Sequence, residues 1–93
     1  IVVIDNQHYG ETGMQISHTG KGIDLAKIAE ANGFAHAGTV AAMAEVETLA
    51  APAEGPRLFV VKVAADSPPR SMPSRDAVFI KNRFRAHLGF APN

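Results

Sequence analysis

Two unbroken runs of apolar residues constrain the fold of this chain more than any other feature. The segment Ile1–Ile4 contains only Ile and Val, and the run from Leu58 to Val63 is interrupted only by Lys62. A continuous apolar run is typical of a parallel strand that is covered on both faces, whereas a half-exposed strand alternates apolar and polar residues. The two runs therefore predict buried strands of one parallel sheet.

A helix is predicted between these strands, in the segment IDLAKIAEANGF. Asp24 is placed as its N-cap, with Ile23 and Ile28 as a hydrophobic staple around the cap. Its apolar residues recur on one face, and Gly33 can end the helix in the left-handed conformation.

The remaining elements follow the same alternation of strand and helix. We expect a strand over Phe34–Val40 and then a second helix, which carries Met43, Val46 and Leu49 and ends at APAEGP. After the last strand we expect a Pro/Ser connector, DSPPRSMPS, and a last helix from about Arg75 to Leu88. The predicted order is βαβαβα. Alternating elements with short links indicate an α/β fold, in which three layers are built around a parallel sheet with right-handed crossovers.

The segment from Asp5 to Gly22 is the part of the sequence that indicates function. It follows the first strand and begins DNQHYGETGMQ, which is rich in amides, carboxylates and glycine. A loop of this length without periodicity usually has a function in a compact domain. Because ligands of parallel α/β folds bind beyond the carboxyl ends of the strands, we expect this loop to form a binding site.

Composition excludes several classes of partner. Nine basic and nine acidic residues give no net charge, so nothing indicates binding to nucleic acid or to an anionic membrane. The absence of cysteine excludes disulfides, thiolate metal sites and thiol nucleophiles within these residues. The apolar runs are far shorter than the roughly 20 residues of a membrane span, and no signal peptide is visible. We expect one cytoplasmic domain over residues 1–93, which is part of a longer protein because the chain begins inside a strand without Met.

Phosphate-binding motifs are not complete in the loop. A P-loop at HTGKG would need Gly at position 15 and Ser or Thr at position 22, where the chain has Gln15 and Gly22. A dinucleotide fingerprint would need a third glycine at the position of Leu25. Zinc is not indicated either, because the four histidines have no ligand spacing: they are His8, His18, His36 and His87. No G-x-S-x-G elbow supports a serine nucleophile.

A hard cation is the remaining possibility at DNQHYG. Magnesium prefers oxygen ligands, needs few protein groups and is often shared with phosphates. Asn6 can offer an amide oxygen, and a carbonyl two residues later can offer another, on a backbone that turns at Gly10. An ordinary turn explains the same residues, and from the residues alone both interpretations stay open.

The stretch VVIDNQHYGETGMQISHTGKGIDLAKIAEANGF resembles the second half of the thiamine diphosphate motif of the phosphonopyruvate and sulfopyruvate decarboxylases. In that family an apolar strand ends in Asp-Asn or Asn-Asn. Tyr-Gly, Thr-Gly-x-Gln and an Asp-Leu-Ala helix start then follow in that order. The resemblance covers about the first 34 residues, and LFVVKVA and KNRF are weaker signals near the other end. It implies that residues 1–93 are the C-terminal part of a thiamine diphosphate-binding, Rossmann-like domain.

The resemblance also implies the cofactor-binding residues, which are Asn6, His8, Tyr9, Gly10, Thr12, Gly13 and Gln15. Asn6 would bind magnesium through its side chain and His8 through its backbone carbonyl. Tyr9 and Gly10 would shape the loop around the diphosphate, and the other three would border the active site. Asp5 matches a position that varies in the family, so it is not assigned to the metal.

The implied function is the decarboxylation of a 3-substituted pyruvate, phosphonopyruvate or sulfopyruvate, with thiamine diphosphate and Mg²⁺. The Gly-Asp-Gly part of the motif, with its metal-binding Asp, is not in these residues. A pyrimidine-binding domain or subunit, with the glutamate that activates the cofactor, would have to complete the site in a homo- or hetero-oligomer. These residues alone would then be inactive, and no catalytic residue is assigned among them.

Alternatives stay open at this stage. Lys21 or His18 is a candidate for binding the anionic group of the substrate, and a solvated loop charge explains either residue as well. The enzyme could instead be another thiamine diphosphate enzyme, such as one similar to acetolactate synthase. The chain could also be a non-catalytic α/β interaction fragment.

Overall fold

A computed structural model describes residues 1–93, and it contains a three-stranded parallel sheet and three α-helices. The elements are β1 (Val2–Asp5), β2 (His8–Tyr9), β3 (Gln15–Ile16), α1 (Leu25–Ala31), β4 (His36–Val40), α2 (Met43–Val46), β5 (Arg57–Lys62) and α3 (Ala77–His87), with 3₁₀ turns at His18–Lys21 and Glu47–Ala50. The predicted α/β class and parallel sheet are confirmed. The antiparallel hairpin of β2 and β3 lies within the segment that was expected to be a loop.

The sheet has the order β1-β5-β4, and both pairings are parallel. Val60 lies opposite Val3 on one side and opposite Thr39 on the other, and Lys62 lies opposite Asp5. The strand that is last in the sequence is therefore central in the sheet. As a result, the two residues that end β1 and β5, Asp5 and Lys62, are neighbours.

One face of the sheet carries the small core. The buried apolar residues are Ala26, Ala29, Val40 and Val60, and Asp5 is the one buried charged residue. The helix α1 contributes the first two of these residues and contacts β4 and β5. The continuous pattern of β1 predicted coverage on both faces, but Val2 and Ile4 are 54% and 66% exposed. No element of the chain packs extensively over their side chains, so that face of β1 is open.

The predicted ends of α1 are confirmed. Asp24 has extended backbone angles, and its carboxylate accepts a hydrogen bond from the backbone N–H of Lys27 at 3.1 Å. Gly33 has a φ of 82°, which is the left-handed conformation expected after a helix. Ile23 and Ile28, the proposed staple, are each about half exposed.

The later elements are shorter than predicted. The strand β4 begins at His36 rather than Phe34, and the second helix is a single α-turn followed by a 3₁₀ turn. The carboxylate of Glu45 accepts the backbone N–H groups of Ala41 and Ala42, both at 3.1 Å, and these hydrogen bonds lower the pKa of Glu45. Glu45 therefore caps α2, a single turn that continues directly into the 3₁₀ turn Glu47–Ala50.

The helix α3 begins at Ala77, after Asp76, whose carboxylate accepts the backbone N–H of Phe79 at 3.0 Å. It does not pack extensively against any strand or helix, and its large apolar residues are exposed: Val78, Phe79, Ile80 and Phe84. The Cα radius of gyration is 16.2 Å, against about 12 Å expected for a compact domain of this length. None of the helices has the length and apolar content that crossing a membrane requires.

Candidate functional site

Asp5 anchors the loop that follows β1. Its carboxylate is 6% exposed and accepts hydrogen bonds from Lys62 Nζ at 2.6 Å, Thr19 Oγ1 at 2.7 Å and the backbone N–H of Gln7 at 2.8 Å. Burial is the largest single influence on this group and acts to raise its pKa. The hydrogen bonds from Lys62, Thr19 and Gln7 and the charge of Lys62 together outweigh burial, so the pKa of Asp5 is lowered. Asp5 is therefore an ionised structural group whose oxygens already have donors.

Asn6 and His8 form a tight turn directly after Asp5. The side-chain Oδ1 of Asn6 accepts the backbone N–H of His8 at 3.0 Å, and His8 Nδ1 lies 2.9 Å from the backbone oxygen of Asn6. Gln7, between them, has a backbone φ of 63°, which residues other than glycine adopt only rarely. Because an amide oxygen has two lone pairs, one lone pair of Asn6 Oδ1 stays free for a further ligand.

The backbone carbonyl of His8 makes no hydrogen bond to the opposite strand of the hairpin. His8 pairs with Ile16 in the register of β2 and β3, and the backbone N–H of Ser17 donates to the carbonyl of Gln7 at 2.9 Å. That hydrogen bond makes His8 and Ile16 a non-hydrogen-bonded pair, in which the carbonyl of His8 points away from β3. The turn thus offers two neutral oxygens, from Asn6 and His8. Such oxygens suit a hard cation, and these residues fit the magnesium role that the sequence resemblance implies.

A polar cleft of about 370 Å³ lies beside Asn6. One wall consists of Asn6, Gly10 and Glu11, and the segment Asp66–Arg70 forms the other wall. None of these residues is a large apolar one. Because the first wall follows β1 and the second follows β5, the cleft lies at the carboxyl ends of two neighbouring parallel strands, where ligands of parallel α/β folds bind.

The other predicted site residues lie further along the hairpin. Thr12 Oγ1 donates to Gln15 Oε1 at 3.2 Å, and Gln15 Nε2 donates to the backbone oxygen of Thr12 at 2.8 Å. Gly13, with a φ of 121°, lies between them, and none of the three lines the cleft. The backbone oxygen of Tyr9 accepts the N–H of Met14 at 3.0 Å, and its side chain is half exposed. The structure therefore brings together Asn6, His8 and Gly10, and it places Thr12, Gly13 and Gln15 in a separate group at the hairpin tip.

The 3₁₀ turn His18–Lys21 packs closely against the hairpin. A Cβ on Gly20 would lie 2.7 Å from Ile16 Cγ2 and 2.9 Å from the backbone oxygen of Gln7. His18 and Lys21, the candidates for binding the substrate's anionic group, are exposed, and neither lines the cleft. The turn therefore supports the hairpin by packing against it, and its basic residues lie outside the cleft.

The structure contains no cluster of three or more His, Asp or Glu side chains that could hold a metal ion. The cleft beside Asn6 does contain single charged side chains. Glu11 and Asp66 are the two carboxylates of the same cleft, and Arg70 is its one cation.

Sequence reasoning missed four residues around this site: Thr19, Lys62, Glu11 and Arg70. The segment that contains Arg70 was expected to be a connector only. Its role depends on β5 lying next to β1, and no local pattern in the sequence specifies that order. The opposite charges at the ends of the two apolar runs, Asp5 and Lys62, are the signal that could have indicated it.

Comparison with protein-family models, with curated proteins and with solved structures finds no match to this chain.

Proposed function

We propose that this chain is the C-terminal part of the diphosphate-binding domain of a thiamine diphosphate- and Mg²⁺-dependent decarboxylase, whose substrate is phosphonopyruvate or sulfopyruvate. The observation that carries the proposal is the turn at Asn6 and His8, which offers two neutral oxygens and whose Asn6 lines a polar cleft. That turn lies at the carboxyl end of β1, which is where the resembling motif has its metal ligands.

Each part of the loop has a role in this proposal. Asn6 Oδ1 and the His8 carbonyl bind magnesium, and Gly10 leaves room for the diphosphate because it has no side chain. Asp5, fixed by Lys62 and Thr19, holds the turn in position without binding the metal itself. When bound, thiamine diphosphate supplies the electron sink for the loss of carbon dioxide. Thr12, Gly13 and Gln15 form the part of the hairpin that faces the completed active site.

The proposed function also requires the rest of the domain and a second domain or subunit. The complete domain is a three-layer, Rossmann-like βαβαβα fold, and the open face of β1 is covered within it. A pyrimidine-binding domain or subunit completes the cofactor site in a cytoplasmic homo- or hetero-oligomer. The exposed apolar residues of β1 and α3 support such contacts, because large apolar patches at a surface mark interaction sites.

The test is the affinity of the full-length protein for thiamine diphosphate, measured by calorimetry at saturating Mg²⁺. Asn6→Ala removes a metal ligand, and we expect it to weaken cofactor binding by about tenfold or more. Asn6→Asp keeps an oxygen for both the metal and the N–H of His8, so it should retain most of the affinity. Asn82→Ala, in α3, is the matched control and should bind as the parent does. Unchanged affinity of the Asn6→Ala protein, with its fold intact by circular dichroism, would contradict the proposal.

The exposed apolar face of α3 also supports a second candidate, a non-catalytic α/β interaction module. The same measurement separates the two, because an interaction module would show no Mg²⁺-dependent binding of thiamine diphosphate. An enzyme similar to acetolactate synthase would bind the cofactor through Asn6 but would not decarboxylate phosphonopyruvate or sulfopyruvate.

A further inference from the structure

Arg70 is the only cation that lines the cleft beside Asn6. Its Nη2 lies 3.1 Å from Oε2 of Glu11, on the opposite wall, and this is the one hydrogen bond its guanidinium makes. Both side chains are more than four-fifths exposed. Exposed ion pairs of this kind add little stability, so an incoming ligand can separate Arg70 from Glu11 at low cost.

The free donors of Arg70 indicate what such a ligand would be. A guanidinium has five N–H donors in one plane, and Glu11 uses one of them. Two parallel N–H groups of a guanidinium match two oxygens of a phosphonate or sulfonate, and this pairing is stronger than a single contact with a carboxylate. Arg70 can therefore pair more strongly with an oxyanion that takes two of its N–H groups than it does with Glu11 through one hydrogen bond.

The backbone before Arg70 holds it opposite Asn6. Pro68 and Pro69 have fixed φ angles, and Pro69 also restricts the residue that precedes it. The wall Asp66–Arg70 therefore loses less conformational entropy on binding a ligand than an unrestricted loop would. An anion on Arg70 would share the cleft with the neutral oxygen of Asn6.

We propose that Arg70 binds the tetrahedral oxyanion on C3 of the substrate, and that this group replaces Glu11 as its partner. The identity of the substrate rests on the proposed function, whereas the exchange of Glu11 for an oxyanion rests on the cleft itself. Arg70 is in this view a specificity-determining residue, because pyruvate without the anionic substituent gains nothing from it.

The first experiment measures anion binding to the full-length protein by the NMR shifts of the backbone amides of Gly10, Glu11 and Ser67, which line the cleft in every variant, with methylphosphonate and methanesulfonate as probes. Arg70→Gln should weaken binding of both probes by about tenfold or more, because two charge-assisted hydrogen bonds are lost. Glu11→Gln should tighten it by about two- to fivefold, because it removes the competing carboxylate. Arg75→Gln, which changes an exposed arginine outside the cleft, is the matched control and should bind as the parent does.

Two results in that experiment would overturn the proposal. One is equal affinity of the parent and the Arg70→Gln protein for methylphosphonate and methanesulfonate. The other is displacement of Glu11 by inorganic diphosphate but by neither probe, because the site would then belong to the cofactor's diphosphate and not to the substrate.

Steady-state kinetics give the second readout. Arg70→Gln should raise KM for the anionic substrate by about tenfold or more, and it should leave thiamine diphosphate affinity unchanged. Arg70→Lys keeps the charge but loses the paired donors, so its KM should be intermediate. If the proposed function fails, the NMR titration still tests anion binding at Arg70. If cofactor binding depends on Asn6 while Arg70→Gln leaves KM and anion binding unchanged, only this inference is overturned.

Discussion

Lys62 Nζ lies 2.6 Å from Asp5 Oδ2, and this ion pair joins the carboxyl ends of two neighbouring parallel strands. The same carboxylate accepts hydrogen bonds from Thr19 Oγ1 and from the backbone N–H of Gln7, and both residues belong to the loop. One buried carboxylate therefore connects the sheet to the hairpin that carries the candidate site. The geometry at Asn6 depends on this connection, since Asn6 follows Asp5 directly.

We expect Lys62→Met to lower the free energy of unfolding by about 1–3 kcal/mol. The substitution keeps the aliphatic part of the side chain but leaves the buried carboxylate of Asp5 without its cation. Urea denaturation measures the change. Lys27→Met is the control, because Lys27 is exposed and forms no ion pair, and it should differ from the parent by less than about 0.5 kcal/mol. Equal stability of the two variants would show that the pair does not stabilise the fold.

The lowered pKa of Asp5 predicts a loss of stability in acid. The ordinary pKa of this group is 3.8, and the folded protein holds it below that value. Asp5 therefore contributes its full stabilisation above pH 3.8, and the contribution is lost as the pH falls from 3.8 through the folded pKa, because the unfolded chain takes up the proton first.

The measurement is urea denaturation of the parent and of Asp5→Asn between pH 2 and pH 7. The stability difference between the two should be constant near neutral pH and should shrink below pH 3.8. The pKa of Glu45 is lowered as well, but Glu45 is present in both proteins, so the comparison isolates Asp5. A difference that does not change with pH would contradict the assignment.

The parallel sheet and the capped helix α1 could be predicted from the sequence because their signals are local. The run IVVI, the N-cap Asp24 and the closing Gly33 each specify structure within a few residues. The continuous apolar run of β1 predicted that both faces of the strand are buried, and this prediction was wrong for one face. Such a run shows that a strand can be buried but does not show which element covers it. The last helix is a second example, because Ile80, Phe84 and Leu88 recur at the spacing of a buried stripe and are exposed in this chain.

The candidate site could be predicted only in part. The turn at Asn6 and His8 depends on adjacent residues, so it follows from the sequence. The cleft depends on the pairing of β1 with β5, which brings Arg70 within 3.1 Å of Glu11 across 59 positions of the chain. No spacing rule covers such a distance, and the segment that contains Arg70 has the composition of an ordinary connector.

Gly20→Ala should destabilise the protein by about 1–3 kcal/mol, because the added methyl group would meet Ile16 and the backbone of Gln7 at less than 3.0 Å. Gly10→Ala is the matched control. The atom nearest to a Cβ added at Gly10 would be Asn6 Nδ2, at 3.7 Å, which is an ordinary contact. The stability of the Gly10→Ala protein should therefore stay close to that of the parent. Thermal unfolding followed by circular dichroism compares the two. A tolerated Gly20→Ala would mean that the 3₁₀ turn does not pack against the hairpin.

Gln7 is the test of backbone strain beside the site. Its φ of 63° is costly for a residue with a Cβ, and costliest for a β-branched one. Gln7→Gly should leave stability unchanged or raise it by up to about 1 kcal/mol, whereas Gln7→Val should lower it by about 1–2 kcal/mol. Urea denaturation of the two variants measures this contrast. The opposite order would show that the turn does not hold this conformation in solution.

The isolation of α3 from the sheet has a consequence for hydrogen exchange. An 11-residue helix is only marginally stable in water on its own, and this helix has its Asp76 cap but no extensive packing. Its amide protons should exchange through local opening that costs little free energy. The amides of the central strand β5, which is paired on both sides, should exchange slowest. The strand that leads into the Asp66–Arg70 wall of the cleft thus belongs to the most protected part of the chain, while the helix that follows the wall opens independently of that strand.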